Sequence, residues 1–205
     1  MIGVFFLLSL IAFMLGVTVV TLLVVIAIVV LIGLYAVSIY NRLVALKNRV
    51  AEAWSDIEVQ MKRRYDLIPN IVETVKGYAA HEKGTLEGVI AARNVAMTDR
   101  GDPAHQAQTE GLLQGALKSL FALAESYPDL KANQGFLSLQ SQLAEIEDTI
   151  QKARRYYNGS VRDFNNLITQ FPSNLIASRF DFSTVSFFEL DAAQSAAREP
   201  VAVKF

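Results

Sequence analysis

The side chains that could perform chemistry are few, and none of them is a cysteine. The chain of 205 residues contains 2 His and no Cys, which excludes disulfide scaffolds, thiolate metal sites and cysteine nucleophiles. Two histidines, His81 and His105, do not suffice for a multi-histidine metal centre. The Glu-x-x-His pattern of di-iron bundles and the His-Glu-x-x-His pattern of zinc peptidases are both absent. The sequence therefore predicts no bound metal and no cofactor.

Carboxylates are the remaining candidates for catalysis. An enzyme hypothesis would use Asp66, Glu73 and Glu87 as acids or bases, beside Arg63 and Arg64. It requires a deep polar pocket in which several of these groups have shifted pKa values. We predict instead that these groups are solvated on helix faces. On this interpretation the chain is not an enzyme and has no catalytic residues.

One basic run, Lys62-Arg63-Arg64, has two interpretations. It could bind lipid headgroups, or it could pair with Asp66 and other carboxylates at a helix end. A continuous helix from Tyr40 would place Arg63 about 35 Å beyond the membrane, whereas the Debye length is ~8 Å at physiological salt. Pairing with carboxylates is therefore favoured. The formal net charge of −1 argues against electrostatic capture of nucleic acid.

The elements that position these groups begin with an uncharged segment. All 19 Lys and Arg and all 20 Asp and Glu lie at or after Arg42. Residues 1–41 are predicted to be a hydrophobic membrane anchor, about twice as long as a ~30 Å hydrocarbon layer requires. Three arrangements compete: one span at about residues 17–40 behind an apolar N-terminal piece, a two-span hairpin turning near Gly16, and a cleaved signal peptide. A signal peptide carries a basic N-terminal region, which is missing here, and a single span is the preferred prediction.

The orientation of the anchor follows from the distribution of basic residues. Arg42, Lys47 and Arg49 follow the span closely, and no Lys or Arg precedes it. The positive-inside rule therefore predicts that the rest of the chain lies in the cytoplasm. Tyr35 and Tyr40 occupy the position of an interfacial aromatic belt on that side.

Residues 42–171 carry the three- and four-residue spacing of apolar side chains that is typical of amphipathic helices. The first stripe continues from the anchor and comprises Leu43, Leu46, Val50, Trp54, Ile57 and Met61. We expect the helix to break near residues 65–69, with a kinked continuation through Pro69 as the alternative. A second stripe then runs from Ile68 to Val95.

The clearest turn is Thr98-Asp99-Arg100-Gly101-Asp102-Pro103. Gly101 is predicted to end one helix, and Asp102 is predicted to cap the next with Pro103 in its first position. Two Gly-x-x-x-Gly pairs flank this turn. Because each Gly lowers helix propensity by roughly 1 kcal/mol, close approach of two helices is the predicted role of Gly84 with Gly88 and of Gly111 with Gly115.

The third helix is expected to be interrupted near Tyr127-Pro128-Asp129, and the fourth keeps a near-heptad, coiled-coil-like register over residues 133–171. Asn158 and Asn165 lie seven residues apart on one face of it. They are predicted to set the register of the bundle rather than to bind a ligand.

These elements predict an all-α fold, in which an N-terminal transmembrane helix is followed by a long antiparallel four-helix bundle over residues 42–171. Residues 172–205 form a predicted extended C-terminal tail, because Phe180-Asp181-Phe182 and residues 201–205 alternate apolar with polar or small side chains. This tail either docks on the bundle or is partly disordered.

The combined segments resemble the LemA family over about residues 40–180. The resemblance is carried by Asn41-Arg42-Leu43-Val44, Ala53-Trp54, Arg64-x-Asp66-Leu67-Ile68-Pro69-Asn70-Ile71-Val72, Val75-Lys76-Gly77-Tyr78-Ala79, His81-Glu82, Ala92-Arg93, Glu125-x-Tyr127-Pro128-Asp129-Leu130-Lys131-Ala132-Asn133, Phe136, Leu139-Gln140, Ala153-Arg154-x-x-Tyr157-Asn158, Val161, Asn165 and Phe171-Pro172-Ser173. The hydrophobic stretch before Asn41 is longer than the family's usual anchor. The resemblance implies a bacterial membrane protein with an N-terminal anchor and a cytoplasmic four-helix domain, and it implies no catalytic residues.

Two functions are compatible with these observations. The leading one is a membrane-anchored, non-enzymatic interaction or scaffold protein at the bacterial inner membrane, with the lipid bilayer and further copies of itself as partners. A homo-oligomer is predicted because several copies would accommodate the long apolar anchor side by side. The alternative, implied by the resemblance, is a regulatory or adaptor subunit of a membrane-bound zinc metallopeptidase of the HtpX kind in envelope maintenance.

A partner surface, if the chain has one in its family signature, is predicted between residues 64 and 78. The same segment could instead brace the first two helices against each other, which is the more conservative interpretation. The residues of the predicted surface are Arg64, Asp66, Pro69, Asn70, Lys76, Gly77 and Tyr78.

Overall fold

The computed structural model describes residues 2–99 and 101–189, with side chains from Met14 onward. It is all-helical, and no β-strand occurs in those two stretches. The helices are α1 (Ile2–Lys76), α2 (Lys83–Thr98), α3 (Pro103–Ala124), α4 (Pro128–Lys131), α5 (Gln134–Thr169) and α6 (Ser173–Arg179). The all-α prediction and the long apolar N-terminal helix are confirmed.

Helix α1 contains 75 residues and runs through Pro69, so the predicted break at residues 65–69 is wrong and the continuation is right. Proline has no N–H, so the carbonyl of Tyr65, four residues earlier, loses its helical donor. The Nε of Arg93 in α2 donates to that carbonyl at 2.7 Å. A side chain from another helix therefore replaces the bond that Pro69 removes, and Ile68 and Ile71 stay fully buried on either side.

The positions of the turns between the helices agree in part with the prediction. Residues 77–82 form the connection from α1 to α2, which divides the stripe that we expected to be one helix. At the next turn Asp102 is the N-cap of α3, its side chain accepts from His105 N, and Pro103 occupies the first position. This capping prediction is confirmed.

The predicted role of the glycine pairs is wrong where the structure tests it. A Cβ added at Gly84, Gly88 or Gly115 would meet no atom within 4 Å. These glycines face open space, so packing between helices of this chain does not explain them.

The chain comprises two compact units. The first comprises residues 1–45 and 166–183, and the second comprises residues 46–165 and 184–205. Helix α1 passes Gly16 without a turn, which does not fit the hairpin arrangement of the anchor. The predicted division of the chain at residues 41 and 171 stays a prediction.

The start of the C-terminal tail differs from its prediction. Residues 173–179 form α6 rather than extended chain, with Ser173 and Ala177 buried. Residues 180 and 181, which were predicted to be extended, form a turn, and residues 182–189 follow it without helix or strand. The predicted extended segment 201–205 lies outside the described residues.

Helix α1 is the helix in the described part of the chain that is long and apolar enough to cross a membrane. From Met14 to Val37 its large apolar side chains are between 45% and 65% exposed. A buried core begins at Ile39 and Leu43 and continues along the predicted stripe. The N-terminal half of α1 therefore presents apolar surface that no described segment of the chain covers.

Candidate functional site

The family signature places an arginine inside the second unit rather than on its surface. Arg64 is 3% exposed, and its guanidinium forms an ion pair through Nη2 with Glu110 of α3, which is also buried. Its Nη1 donates to Glu147 Oε2 of α5 at 2.7 Å. One side chain of α1 thus joins α3 and α5.

Tyr65 and Gln106 complete this buried cluster. The Tyr65 hydroxyl donates to Glu110, and Gln106 Nε2 donates to the carbonyl of Ala96 at 3.0 Å. Burial raises the pKa of Tyr65 to about 12, although the positive charge of Arg64 works against that rise. The phenol consequently stays protonated and remains a hydrogen-bond donor to the carboxylate throughout the physiological pH range.

Glu110 and Glu147 were not among the predicted site residues, although the spacing of buried side chains around both was a signal. Glu110 lies three and seven residues before the buried Leu113 and Leu117, so it occupies an inward position of an amphipathic helix. A charge at such a position needs a partner, because an unpaired buried charge is strongly unfavourable. Arg64 likewise lies seven residues after the buried Ile57. Glu147 lies between the buried Leu143 and Ile150, at the same three- and four-residue spacing, although it is itself 28% exposed.

A second polar cluster closes the turn between α2 and α3. The Asp99 carboxylate, 4% exposed, accepts from Gly101 N, Thr109 Oγ1 and His105 Nδ1 at 2.8–2.9 Å. Burial alone would raise the pKa of Asp99, but the hydrogen bonds from Gly101, Thr109 and His105 outweigh it and lower the pKa below its ordinary value. Asp99 is therefore an ionised, fully used acceptor that holds the turn.

The structure does not bring the seven predicted surface residues together. Arg64 is buried and Pro69 is half-buried within α1. Lys76 ends α1 and pairs with Glu73, while Gly77 lies in the following turn. Those two are exposed, and so are the remaining three. Asp66 pairs with Lys62 at 2.8 Å, Asn70 lies on α1, and the Tyr78 hydroxyl accepts from Asn133 Nδ2 at 2.9 Å.

Asp66 and Asn70 do share one feature, a groove of about 480 Å³ between α1 and α5. We call it the α1–α5 groove. Its lining includes two aliphatic side chains and charged side chains of both signs. The lining residues are Gln60, Arg63, Asp66, Leu67 and Asn70 of α1 and Gln142, Glu145, Ile146 and Thr149 of α5.

The candidate catalytic carboxylates are not gathered in a pocket. Asp66, Glu73 and Glu87 are exposed, and the first two pair with lysines of their own helix. Of the basic run, Lys62 and Arg64 pair with carboxylates as predicted, although within α1 rather than at its end. Among the described residues, no three His, Asp or Glu side chains gather in a way that could hold a metal ion.

Asn158 and Asn165 have a role that the sequence analysis did not predict, because both bind the extended tail. Asn158 bonds the N–H and the carbonyl of Phe188 at 2.9 and 3.1 Å, and Asn165 does the same to Val185 at 2.9 Å for both bonds. Seven helical residues rise about 10.5 Å and three extended residues about 10 Å. The heptad spacing of the asparagines therefore matches the tail, which they clamp through its main chain.

Aromatic packing completes the clamp. Phe188 is 1% exposed, and its ring lies 5.4 Å from that of Trp54, edge to face. The Tyr157 hydroxyl donates to the carbonyl of Ser186 at 2.9 Å. Burial raises the pKa of Tyr157 to about 12, and the carboxylate of Asp102 adds to the rise. Residues 185–188 of the tail therefore belong to the folded core of the second unit.

The chain is similar in sequence to known proteins. The model of the LemA family matches residues 53–205. Protein LemA of Metamycoplasma hominis is 29% identical over 152 residues, which cover 73% of this chain and 68% of that protein. The magnetosome protein MamQ 2 of Paramagnetospirillum magneticum is 25% identical, and MamQ of Magnetospirillum gryphiswaldense is 24% identical, each over 73% of this chain. The chain spans 64% of the length of these two MamQ proteins, slightly less than two thirds.

We predict that Arg64 and Glu110 are coupled in stability. Arg64→Met leaves the buried Glu110 without its ion-pair partner and should lower the free energy of unfolding by about 3–5 kcal/mol. Glu110→Leu should lower it by less, because Arg64 keeps its bond to Glu147. The double variant should recover most of that loss, since it removes both charges. Chemical denaturation of the detergent-solubilised chain, followed by circular dichroism, measures the three changes. Additive losses in the double variant would contradict the coupling.

We predict that Asp99→Asn lowers the free energy of unfolding by about 1–3 kcal/mol at neutral pH. The NH₂ group of the asparagine would face the hydrogen-bond donors that surround the natural carboxylate, so that some of them lose their acceptor. The lowered pKa of Asp99 means that its contribution is complete above the unfolded-state pKa and is lost as the pH falls through the folded-state value. The difference between the variant and the natural chain should therefore shrink below about pH 4. Asp163→Asn, at an exposed position, is the control and should have little effect at any pH.

Proposed function

This chain belongs to the LemA family, and on that premise we propose that it is a membrane-anchored, non-enzymatic scaffold that self-associates at the bacterial inner membrane. The observation that carries the proposal is the uncovered apolar half of α1. The large apolar side chains from Met14 to Val37 remain 45% to 65% exposed. Leaving apolar area in water is unfavourable by about 25 cal/mol per Å². Insertion into lipid removes that area from water.

The orientation follows from the charges behind the span. Arg42, Lys47 and Arg49 lie close to the end of the apolar segment, and no charged residue precedes them. The positive-inside rule favours a cytoplasmic location for the remainder of the chain. There, the second part of α1 with α2, α3 and α5 would form the antiparallel four-helix bundle. The bonds of Arg64 to α3 and α5 and of Arg93 to α1 support that arrangement.

The polar chemistry of the second unit supports a binding role rather than a catalytic one. Its buried charged groups have partners within the fold: Arg64 pairs with Glu110, and Asp99 accepts from Gly101, Thr109 and His105. The carboxylates that an enzyme would need are solvated on separate positions of α1 and α2. The relatives named above carry no peptidase name, so they add no support to the metallopeptidase adaptor hypothesis.

Self-association has two supports. An apolar helical segment of roughly 40 residues is about 60 Å long, twice the hydrocarbon thickness, so that part of it is better covered by further copies. The α1–α5 groove offers a polar and aliphatic surface that includes Asp66 and Asn70 of the predicted partner surface. We place the contact between copies, or with another partner protein, at that groove.

The topology is tested with single cysteines, because the chain contains none. Ser55 is exposed on α1 beyond the span. We expect Ser55→Cys to react with a membrane-impermeant maleimide only after cells are opened, and the protein to stay in the membrane pellet. Labelling in intact cells would contradict the orientation. A chain that stays soluble would contradict the anchor.

Association is tested by light scattering of the full chain in mild detergent. We expect a protein mass that is a multiple of 22.6 kDa. Asp66→Arg should lower it, because it reverses a charge in the α1–α5 groove at the expense of one exposed ion pair of little stabilising value. Glu52→Arg, an exposed charge reversal elsewhere on α1, should not change it. A strictly monomeric natural chain would contradict self-association, and equal masses for both variants would exclude the groove as the contact.

A further inference from the structure

A short apolar patch in the first unit is left largely exposed by the described residues. Phe171, Leu175 and Phe180, around α6, are 80%, 60% and 53% exposed. The opposite face of α6 buries Ser173 and Ala177. Leu175 lies two residues from each of them, which is about 200° around the helix, so the apolar side chain points away from the core. We call Phe171, Leu175 and Phe180 the α6 patch.

The position of the α6 patch along α1 is determined by aromatic contacts. The ring of Tyr40 lies 4.8 Å from that of Phe180 and 5.9 Å from that of Phe182. Tyr40 is the last apolar residue of the uncharged segment, two positions before Arg42. The patch therefore lies where the exposed apolar surface of α1 ends, since Leu175 is only about 8 Å from Phe180 along the helix.

The chemistry around the α6 patch matches that of a membrane–water interface. Aromatic rings and aliphatic side chains enter the boundary between headgroups and acyl chains, and cations favour the anionic headgroups beside them. Arg179 is exposed, and its Cζ lies 5.9 Å from the centre of the Phe180 ring. The neighbouring Asp181 is also exposed, so it can stay in water. Single exposed apolar side chains are ordinary, but here three large ones lie in and directly around one short helix, whose C-cap Phe180 contacts Tyr40 of α1.

We infer that the α6 patch lies in the headgroup layer of the same membrane that α1 crosses, as a second lipid contact of the chain. Lipid is the occupant because the patch is continuous with the uncovered apolar surface of α1 through the Tyr40 contact. The chain then touches the membrane twice, once through its N-terminal helix and once after α5. This inference rests on the proposed insertion of α1.

Fluorescence quenching by brominated lipids tests the inference with the full chain in phosphatidylcholine vesicles. The chain has one Trp, so Trp54→Phe gives a silent background. In that background, Phe171→Trp and Phe180→Trp should shift to shorter emission wavelengths and be quenched best by bromines near the headgroups. Leu112→Trp, at a position 65% exposed on α3, is the matched control and should not be quenched. Val25→Trp reports insertion of α1 and should be quenched best by bromines deep in the acyl layer.

The outcomes separate the two proposals. Quenching of Val25→Trp without quenching of Phe171→Trp and Phe180→Trp would overturn the lipid contact and leave the anchor intact. Absence of quenching in Val25→Trp would overturn the anchor itself. A nitroxide on Leu175→Cys provides a second measurement that leaves Trp54 in place. It should be more accessible to oxygen than to a water-soluble nickel complex, and the same label on Leu112→Cys should show the reverse.

Discussion

The buried ion pair between Arg64 and Glu110 is the interaction that the second unit depends on most. Two charges out of water are stable only when they meet with good geometry, so α1 and α3 must pack in one register for either residue to be tolerated. Glu147 adds α5 to the same guanidinium. Apolar side chains alone would allow several packings of similar energy, whereas this pair excludes those in which the charges miss each other.

The same region explains how a single helix can pass through a proline. Helix α1 loses one backbone bond at Pro69, and Arg93 supplies a replacement donor to the carbonyl of Tyr65. The hydroxyl of Tyr65 also donates to Glu110. Tyr65 therefore bonds α2 through its carbonyl and the buried carboxylate of α3 through its side chain. Arg64 and Tyr65 in this segment therefore hold helices together, whereas Asp66 and Asn70 line the α1–α5 groove, the proposed contact surface.

The part of the chain after α5 has two different environments. Residues 185–188 lie in the clamp formed by Asn158, Asn165 and Tyr157, which holds the tail by its main chain. The α6 patch lies before them, beside Tyr40, with its apolar side chains uncovered. A segment that looks like a featureless tail in the sequence thus contributes one face to the protein core and another to the proposed lipid surface.

The sequence by itself determined the long apolar N-terminal helix, the amphipathic stripes of the helices that follow, and the capped turn at Asp102 and Pro103. These features depend on hydropathy and on hydrogen bonds within one helical turn, so residues close in sequence specify them. Only the tertiary structure decided that α1 continues through Pro69, that Arg64 is buried and that Asn158 and Asn165 clamp the tail. The bonds responsible join residues 20 to 83 positions apart. Such polar partners depend on how helices pack, and no local pattern encodes them.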